Sequence, residues 1–423
     1  MYKKINDSED ESNCKFQTRI ISSAFPKPDV YGAINEPIYR NAAFEYPDSQ
    51  SIEEAFKFRT DVYTYSRIIN PTVTNLEEKI RRAANAEGVL ALASGMAAIS
   101  NVFISICYAG CNIVSSPHLF GNTFSFFKST LASFGVEMRF VDVRNPDEVV
   151  AAVDDNTVAF FCEVLSNPHI EIADLPLLSE LLHNKNVPLI IDTTVIPWCG
   201  FDARKAGVDI EVVSTTKYIS GGATSIGGAI IDYDVFDWTK NKKLGAIPVK
   251  PSGMSLLMFK LRAEIARNIG ACMSPDTAYL QSVGMETLQL RYEKMSATAY
   301  NIALHLSQHP KVQYVHYPKL DCSPFKALSD KLFKGNPGAM FSINLESKQA
   351  CYRFMDSLKI IRRATNLFDN KTLVIHPEST IYGSFPPDLK RLIGIEDNLL
   401  RFSAGLEDEA DIIADIENGL QSA

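Results

Sequence analysis

Residues 212–228 read V-V-S-T-T-K-Y-I-S-G-G-A-T-S-I-G-G, and the expected fold is built around them. The β-branched residues within 209–213 predict a buried strand. That strand leads into Ser214, Thr216 and Lys217, and then into a glycine-rich loop. Small hydroxyl groups and open backbone suit an oxyanion such as phosphate, which accepts many short hydrogen bonds. The alternative is a strand end with a solvated lysine and a tight turn.

A lysine beside a bound anion, with apolar residues behind it, is placed to react with a carbonyl group of the ligand. We therefore predict that Lys217 carries pyridoxal 5'-phosphate as a Schiff base, with Ser214 and Thr216 on its phosphate. A single lysine does not distinguish this site from a solvated strand end. The choice depends on the rest of the chain.

Length and composition indicate a globular protein of two or three domains: 423 residues, 46% of them hydrophobic and 22% charged. The net charge of −8 and the lack of a basic patch argue against nucleic acid as a partner. The eight cysteines show no C-x-x-C spacing, so we expect free thiols in a reducing compartment and no metal site. The polar first twelve residues predict no signal peptide, and hence a cytoplasmic location.

Residues 88–127 contain no Asp, Glu, Lys or Arg, which raises the possibility of a membrane span. Glycines, a proline and Ser94 divide this segment into short pieces. We therefore predict strand, turn and helix, twice over, buried inside the protein and not in a membrane. Such a long uncharged interior suits a parallel sheet covered on both faces.

Apolar strands and amphipathic helices alternate after residue 70, which predicts an α/β fold with a mostly parallel sheet. Helices are expected after Gly95, Gly121, Pro146, Pro176 and Phe201, and one long helical region at 276–309. The predicted strands of this sheet are 89–92, 112–115, 138–141, 158–162, 188–191 and 211–214. Those of a smaller α+β unit are 312–317, 339–345, 373–376 and 399–403, with helices at 349–358 and 408–420.

The same pattern divides the chain into three parts. Residues 1–69 are expected to form an extended arm, 70–292 a large ligand-binding domain, and 293–423 an α+β domain. In parallel sheets, ligands bind at the carboxyl ends of the strands. Polar residues that directly follow strands are therefore candidate site residues.

Two such candidates have ordinary alternatives. Asp192 ends an apolar strand, where it could cap a turn or face a pyridine nitrogen and keep the ring protonated. Ser94, Gly95 and Met96 lie at a strand-to-helix junction, where they could form a simple N-cap or present backbone N–H groups to a phosphate.

Taken together, these motifs resemble the cysteine/methionine-metabolism (trans-sulfuration) family of pyridoxal-phosphate-dependent enzymes. The resemblance extends from about residue 31 to the C-terminus. It is carried by Y-S-R-I-I-N-P-T (65–72), A-S-G-M-A-A-I (93–99), E-V-L-S-N-P (163–168), I-D-T-T (191–194), S-T-T-K-Y-I (214–219), G-A-C-M-S-P (270–275), I-H-P-E-S-T (375–380) and R-F-S-A-G-L-E (401–407).

The resemblance implies the aspartate-aminotransferase-like fold (fold type I) and a role for each matching residue. Lys217 would hold the cofactor and transfer protons, and Asp192 would face its pyridine nitrogen. Phe120 would stack on the ring, and Asn167 would contact the ring hydroxyl. The residues implied for the cofactor phosphate are Gly95, Met96, Ser214 and Thr216.

The remaining implied contacts involve the substrate and a second subunit. Arg401 would bind the carboxylate of a small amino-acid substrate, because a planar guanidinium fits a carboxylate well; its alternative is a surface ion pair with Glu407. Asn366 would also lie at the substrate. Tyr65 and Arg67 would reach the phosphate of the neighbouring subunit, which implies a homotetramer built as a dimer of dimers.

Within the family, residues 366–380 look more like the O-acetylhomoserine sulfhydrylase pattern than the lyase pattern, which has Ser and Glu at Asn366 and Lys371. Asn122 stands where methionine γ-lyases carry a cysteine. Both features favour γ-replacement of O-acetylhomoserine with sulfide or a thiol, which yields homocysteine or methionine. The alternative is a γ-lyase acting on methionine or cystathionine.

The chain also departs from the family pattern. Phe120 replaces a tyrosine, which keeps the aromatic face but removes a phenol that could transfer protons. Phe368 replaces a glycine. These changes motivate a third hypothesis, that the chain is a cofactor-binding protein with little catalysis. The presence of Lys217, Asp192 and Arg401 argues against it.

Overall fold

A computed structural model of the chain describes residues 14–22, 31–57, 59–60, 62–248 and 253–423. The described part of the predicted arm contains two short helices, α1 (Phe16–Ile21) and α2 (Ser49–Phe56). It also forms an isolated bridge between Ala43 and Tyr65. Positions 1–13, 23–30, 58 and 61 of the predicted arm lie outside the described residues.

A seven-stranded sheet forms the centre of the larger part of the molecule, with the strand order β1-β7-β6-β5-β4-β2-β3. Strand β7 is antiparallel to both neighbours, and the other pairs are parallel. Apolar clusters pack on both faces, as expected for covered parallel strands. The strands are β1 (Gly88–Leu92), β2 (Asn112–Ser115), β3 (Glu137–Phe140), β4 (Thr157–Glu163), β5 (Leu189–Asp192), β6 (Ile210–Val213) and β7 (Gly228–Asp232).

A second sheet of five strands has the order β10-β11-β12-β9-β8. Its central strand, β12, is antiparallel to both β11 and β9 and brings Arg401 into the interior. The strands are β8 (Tyr314–His316), β9 (Met340–Asn344), β10 (Arg362–Arg363), β11 (Leu373–Ile375) and β12 (Leu399–Ser403).

Helices cover both sheets and connect them. None of those in the described part of the chain combines the length and apolar composition that a bilayer crossing needs. They are α3 (Pro71–Ala84), α4 (Gly95–Ile106), α5 (Gly121–Ser125), α6 (Pro146–Ala151), α7 (Leu175–His183), α8 (Leu256–Lys260), α9 (Ala266–Ile269), α10 (Pro275–Met285), α11 (Leu288–Leu306), α12 (Lys326–Phe333), α13 (Lys348–Ser357), α14 (Pro387–Leu392) and α15 (Glu409–Ser422).

All ten predicted strands are confirmed, with ends that differ by at most two residues. The uncharged segment 88–127 forms β1, α4, β2 and α5, as predicted. Strand β7 was not predicted, because its glycines looked like part of the preceding loop. The helix expected after Phe201 is wrong: only a turn fits there, since Gly207 has a φ of +78° and β6 begins at Ile210.

The long helical region expected at 276–309 consists of two helices, α10 and α11, with a break after Met285. Gly284 packs against the segment that follows Lys217, where a Cβ would lie 2.4 Å from the Ile219 carbonyl oxygen. The Gly284 carbonyl accepts a hydrogen bond from Arg291 Nη2 at 2.6 Å. The break therefore lets this helix end pack closely behind the lysine segment.

Phe368 has a positive φ of +56°, a conformation that glycine adopts without strain. Its ring is fully buried and stacks on Tyr218, with ring centroids 4.1 Å apart. Its backbone N–H donates to Ser403 Oγ at 2.7 Å. This packing compensates for the strained backbone and accounts for phenylalanine at a position where the family pattern has glycine.

Candidate active site

One cavity of about 710 Å³ lies at the carboxyl ends of β4, β5 and β6 and extends to the second sheet. It collects ten of the twelve residues predicted for the site. These are Gly95, Met96, Phe120, Asn167, Asp192, Ser214, Thr216, Lys217, Asn366 and Arg401.

The other two predicted residues, Tyr65 and Arg67, lie elsewhere. They line a separate surface cavity of about 730 Å³ formed by the arm and Arg267. The Arg67 guanidinium lies over the Tyr65 ring and donates to the Arg267 carbonyl. Within one chain, therefore, they make no contribution to the cavity that contains Lys217.

The sheet explains why residues distant in sequence meet here. Glu163 at the end of β4 pairs in register with Asp192 at the end of β5, and Asp192 pairs with Val212 of β6. Because the three strands are parallel, their carboxyl ends meet at one edge. The segment beyond β6 then places Ser214 and Lys217 at that edge.

Gly95 allows the N-terminus of α4 to approach β6 closely. A Cβ at this position would lie 2.7 Å from Ser214 Cβ, which is closer than real side chains come. Ser94 Oγ caps the helix by accepting from the Ala97 N–H at 3.1 Å. The remaining N–H groups of the first turn have no partner within the helix, so they can bind an anion.

Thr216 also has a structural contact. Its hydroxyl donates to the Gly227 carbonyl at 3.2 Å and accepts from the Gly227 N–H at 3.1 Å. The Thr216 side chain therefore closes the glycine-rich loop while it lines the cavity. Ser214 is held by its backbone N–H, which donates to Thr194 Oγ1 at 2.8 Å.

Lys217 is a partly buried lysine whose Nζ donates to Asn366 Oδ1 at 2.6 Å. Burial and, after it, the positive charge of Arg401 lower the pKa of Lys217 to about 8. A larger fraction of the amine is therefore neutral near neutral pH than for an ordinary lysine. The neutral amine carries the free electron pair that a nucleophile needs.

Two carboxyl groups line the same cavity as the lysine, those of partly buried Asp192 and of buried Glu163. Burial raises the pKa of Asp192, while its hydrogen bond with Thr194 and the charge of Lys217 act in the opposite direction. Burial and the charge of Asp192 raise the pKa of Glu163. A cation placed next to Asp192 would therefore be strongly favoured, because burial penalises the unpaired negative charge.

Arg401 is 1% exposed, and burial lowers the pKa of its guanidinium to about 9. Its Nη2 donates to the Asn366 carbonyl at 3.3 Å, and its Nε has no partner among the described residues. Glu407 instead accepts from the Thr372 N–H and hydroxyl, so the alternative of a surface ion pair with Arg401 is wrong. A buried arginine with unused donors is suited to a carboxylate ligand.

The residues present fit pyridoxal phosphate. Asn167 Oδ1 is buried without a hydrogen-bond partner among the described residues, as an acceptor reserved for a ligand hydroxyl would be. The α4 N-terminus provides an anion site, Asp192 an acid for the ring nitrogen, and Lys217 an amine for the aldehyde. These four features lie around one cavity of sufficient size.

Several residues of the cavity wall were not assigned a role from the sequence. Thr194 belongs to the I-D-T-T motif, so that motif could have indicated it. Asn122 was used in the sequence only to distinguish members of the family. The others carry no signal of their own: Ile99 and Thr123 lie on helices α4 and α5, and the rest lie in loops. The loop residues are Val195, residues 223–226, Thr365, Leu367 and Ile381.

The lowered pKa of Lys217 predicts how cofactor attachment depends on pH. The rate at which cofactor-free protein gains visible absorbance with pyridoxal phosphate should rise about tenfold per pH unit below pH 8 and level off above it. The neutral fraction of the amine is complete above its pKa. Stopped-flow absorbance measures the rate, and Nα-acetyl-lysine, whose ε-amine is free, serves as the control amine. A rate that still rises tenfold per pH unit above pH 9 would show that Lys217 has the pKa of an ordinary lysine.

Comparison with known proteins agrees with this site. The sequence model of the family described as Cys/Met metabolism PLP-dependent enzyme matches residues 17–421. The O-acetyl-L-homoserine sulfhydrylase of Corynebacterium glutamicum is 32% identical over 433 aligned residues, with 98% of both chains covered. An L-methionine gamma-lyase of Fusobacterium nucleatum is 34% identical, covering 93% of this chain and 95% of the relative.

The fold is also shared with solved structures. A Campylobacter jejuni protein assigned as an O-acetylhomoserine (thiol)-lyase superposes with a TM-score of 0.92 at 30% identity, covering 97% of this chain and all of that one. That structure contains N'-pyridoxyl-lysine-5'-monophosphate. The predicted α/β fold of type I and the predicted cofactor are thereby confirmed, and the chain belongs to the family of pyridoxal-phosphate-dependent enzymes of cysteine and methionine metabolism.

Proposed function

We propose that the protein replaces the γ-substituent of O-acetylhomoserine with sulfide or a thiol, giving homocysteine or methionine. The observation that carries this proposal is the composition of the cavity wall. Within one chain, the aromatic side chain that lines it is Phe120, which has no hydroxyl group to give a proton to a leaving group. An acetate leaving group needs little help from an acid, whereas expelling a thiolate benefits from one.

Ten residues of this chain would hold cofactor and substrate. Lys217 would bind the cofactor through its amine, and Asp192 and Asn167 would take the ring nitrogen and ring hydroxyl. Phe120 would cover the ring face. The phosphate would lie against Gly95, Met96, Ser214 and Thr216, and the substrate carboxylate against Arg401 and Asn366.

When bound, pyridoxal phosphate withdraws electrons from the carbon atoms of the substrate. The chain supplies the proton transfers. Lys217, with its lowered pKa, takes a proton from the α-carbon and returns it later. Asn366 orients that amine through the 2.6 Å hydrogen bond, and Arg401 fixes the substrate carboxylate so that the α-carbon faces it. In the overall exchange, a C–O bond breaks to release acetate and a C–S bond forms.

Relatives support this choice, since those from Corynebacterium glutamicum and Thermus thermophilus are named O-acetyl-L-homoserine sulfhydrylases. Of the two residues in the sulfhydrylase pattern, Asn366 lies in the cavity and contacts Lys217. Lys371 is exposed and pairs with Asp369 at 3.1 Å. The pattern therefore bears on the active site through Asn366.

A γ-lyase activity is the second candidate, because the methionine gamma-lyase relative is as similar as the sulfhydrylases. Purified protein should be given O-acetylhomoserine with sulfide, and separately methionine or cystathionine, at equal enzyme concentration. We expect homocysteine from the first mixture at a much higher rate than keto acid from the others. Turnover of methionine or cystathionine alone would favour the lyase. A shift of the visible band without product would favour a binding protein.

We further propose a cytoplasmic homotetramer, formed as a dimer of dimers, in which Tyr65 and Arg67 complete the neighbouring site. The Tyr65 side chain is 43% exposed and lies outside the cavity of its own chain, which leaves it available to another subunit. The three parts proposed for each chain, 1–69, 70–292 and 293–423, place one sheet in each of the latter two, and the second boundary falls within α11. A fully active monomer in light scattering would overturn the assembly proposal.

A further inference from the structure

Two residues that face the cavity, Phe120 and Asn167, are held through their backbone by the same pair of side chains. Glu163 accepts hydrogen bonds from the N–H groups of both residues, and the Tyr382 hydroxyl lies at the carbonyl groups of Leu119 and Asn167. Phe120 and Asn167 belong to two segments of the chain that are 47 residues apart in sequence. Both segments follow neighbouring strands of the large sheet, β2 and β4, and these contacts between side chain and backbone connect them beyond the ends of those strands.

Glu163 ends β4 and points its carboxyl group between the two segments. Oε1 accepts from the Phe120 N–H, and Oε2 accepts from the Asn167 N–H at 3.2 Å. Glu163 is buried, as are Asn167 and the following proline. In such surroundings, a lost partner leaves an N–H group unsatisfied away from water, which destabilises that backbone position.

Tyr382 approaches the same two segments from the other sheet, in the loop that follows β11. Its hydroxyl oxygen lies 3.0 Å from the Leu119 carbonyl oxygen and 3.1 Å from the Asn167 carbonyl oxygen. The Leu119 carbonyl and the Phe120 N–H belong to one peptide group. Each segment is thus contacted on its N–H side by Glu163 and on its carbonyl side by Tyr382, which is itself fully buried.

The residue at position 120 increases the importance of these backbone contacts for the direction of its ring. A phenylalanine ring has no hydrogen-bonding group, so only packing and the backbone set its direction. Asn167 presents the orphaned Oδ1 to the same cavity. The two groups that would contact the cofactor ring, from its face and at its hydroxyl, are therefore oriented by backbone that Glu163 and Tyr382 fix together.

We infer that Tyr382 and Glu163 are positioning residues that set the orientation of the bound cofactor ring through Phe120 and Asn167. Tyr382 does not line the cavity, and Glu163, which does, acts in this role through the two backbone N–H groups that it binds. The inference rests on the family's cofactor and not on the proposed reaction, since ring orientation matters equally for replacement and elimination. It also assigns a function to a residue of the second sheet, which thereby contributes to the ring site as well as to substrate binding.

The test compares Tyr382→Phe with Tyr317→Phe at equal cofactor content. Tyr317 is a matched control, because its buried hydroxyl also lies near two carbonyl oxygens, of Gly338 at 2.9 Å and Ser296 at 3.4 Å, away from the cavity. Visible circular dichroism reports ring orientation. We expect Tyr382→Phe to lose visible dichroism and to lower kcat about tenfold, as one lost hydrogen bond of about 1.4 kcal/mol implies. Tyr317→Phe should retain both.

A second variant keeps the inference testable if Tyr382→Phe folds poorly. Glu163→Gln replaces one acceptor oxygen with a donor, so it should also reduce visible dichroism, with melting temperature as the check on folding. Equal dichroism and kcat in Tyr382→Phe and Tyr317→Phe would overturn the inference. So would a lower melting temperature with unchanged dichroism in Tyr382→Phe and Glu163→Gln, because that pattern indicates a purely structural role.

Discussion

Replacing Lys217 with alanine is expected to lower kcat by about 10³-fold and to remove the covalently linked cofactor. The variant loses both the amine that attaches the cofactor and the base that moves the α-proton. Its cavity otherwise stays intact, because among the described residues the Lys217 Nζ donates a hydrogen bond only to Asn366 Oδ1. Steady-state assays and the visible absorption spectrum after gel filtration measure the two losses.

Two further variants separate charge from chemistry. Lys217→Arg keeps a positive charge but cannot form the link, so it should be as inactive as Lys217→Ala. Lys243→Ala removes another partly buried lysine, whose Nζ donates to the carbonyls of Ile104 and Cys107. That control should keep its visible band and its activity. Full activity in Lys217→Arg would contradict the role of the amine.

Replacing Arg401 with lysine is expected to reduce kcat/KM by about 30- to 1000-fold, mostly through KM. A lysine cannot bind a carboxylate with two parallel hydrogen bonds, and losing such a buried contact costs about 2–4 kcal/mol. The effect should fall on substrate binding, because the Arg401 Nε has no hydrogen-bond partner and no carboxylate among the described residues pairs with this guanidinium. Initial rates over a wide range of substrate concentration measure the change.

Arg291 provides the control for Arg401. It is also a buried arginine whose pKa burial lowers, and its Nη2 donates to the Gly284 carbonyl. Arg291→Lys and Arg401→Lys should both lower the melting temperature, but only the second should raise KM. A similar KM in the two variants would mean that Arg401 serves the fold and that another group binds the substrate carboxylate.

The sequence was sufficient for most of the site because of how parallel sheets are built. Asp192 ends β5, Ser214 and Lys217 come within four residues after β6, and the carboxyl ends of parallel strands meet at one edge. Residues on that edge can be brought together without knowing the packing of the helices. Arg401 and Asn366 needed more than this rule, and they were indicated by resemblance to the family.

Other features depend on tertiary contacts that no local pattern contains. Tyr382 meets Leu119 across 263 sequence positions, so its part in holding Phe120 could not be read from its own neighbourhood. The break between α10 and α11 depends on how closely Gly284 packs behind Ile219. Strand β7 could not be distinguished from the loop before it, because it begins with a glycine of the same glycine-rich segment, and its partner β1 lies about 140 residues earlier. In each case the contact that decides the structure is distant in sequence.

The covalent attachment itself can be located directly. Borohydride reduction of the protein loaded with pyridoxal phosphate, followed by digestion and mass spectrometry, identifies the modified lysine. The pyridoxyl phosphate group is expected on Lys217, with the cofactor in roughly one-to-one ratio to the chain. A reduced group on a different lysine, or an unmodified Lys217 in protein that is yellow and active, would contradict the account.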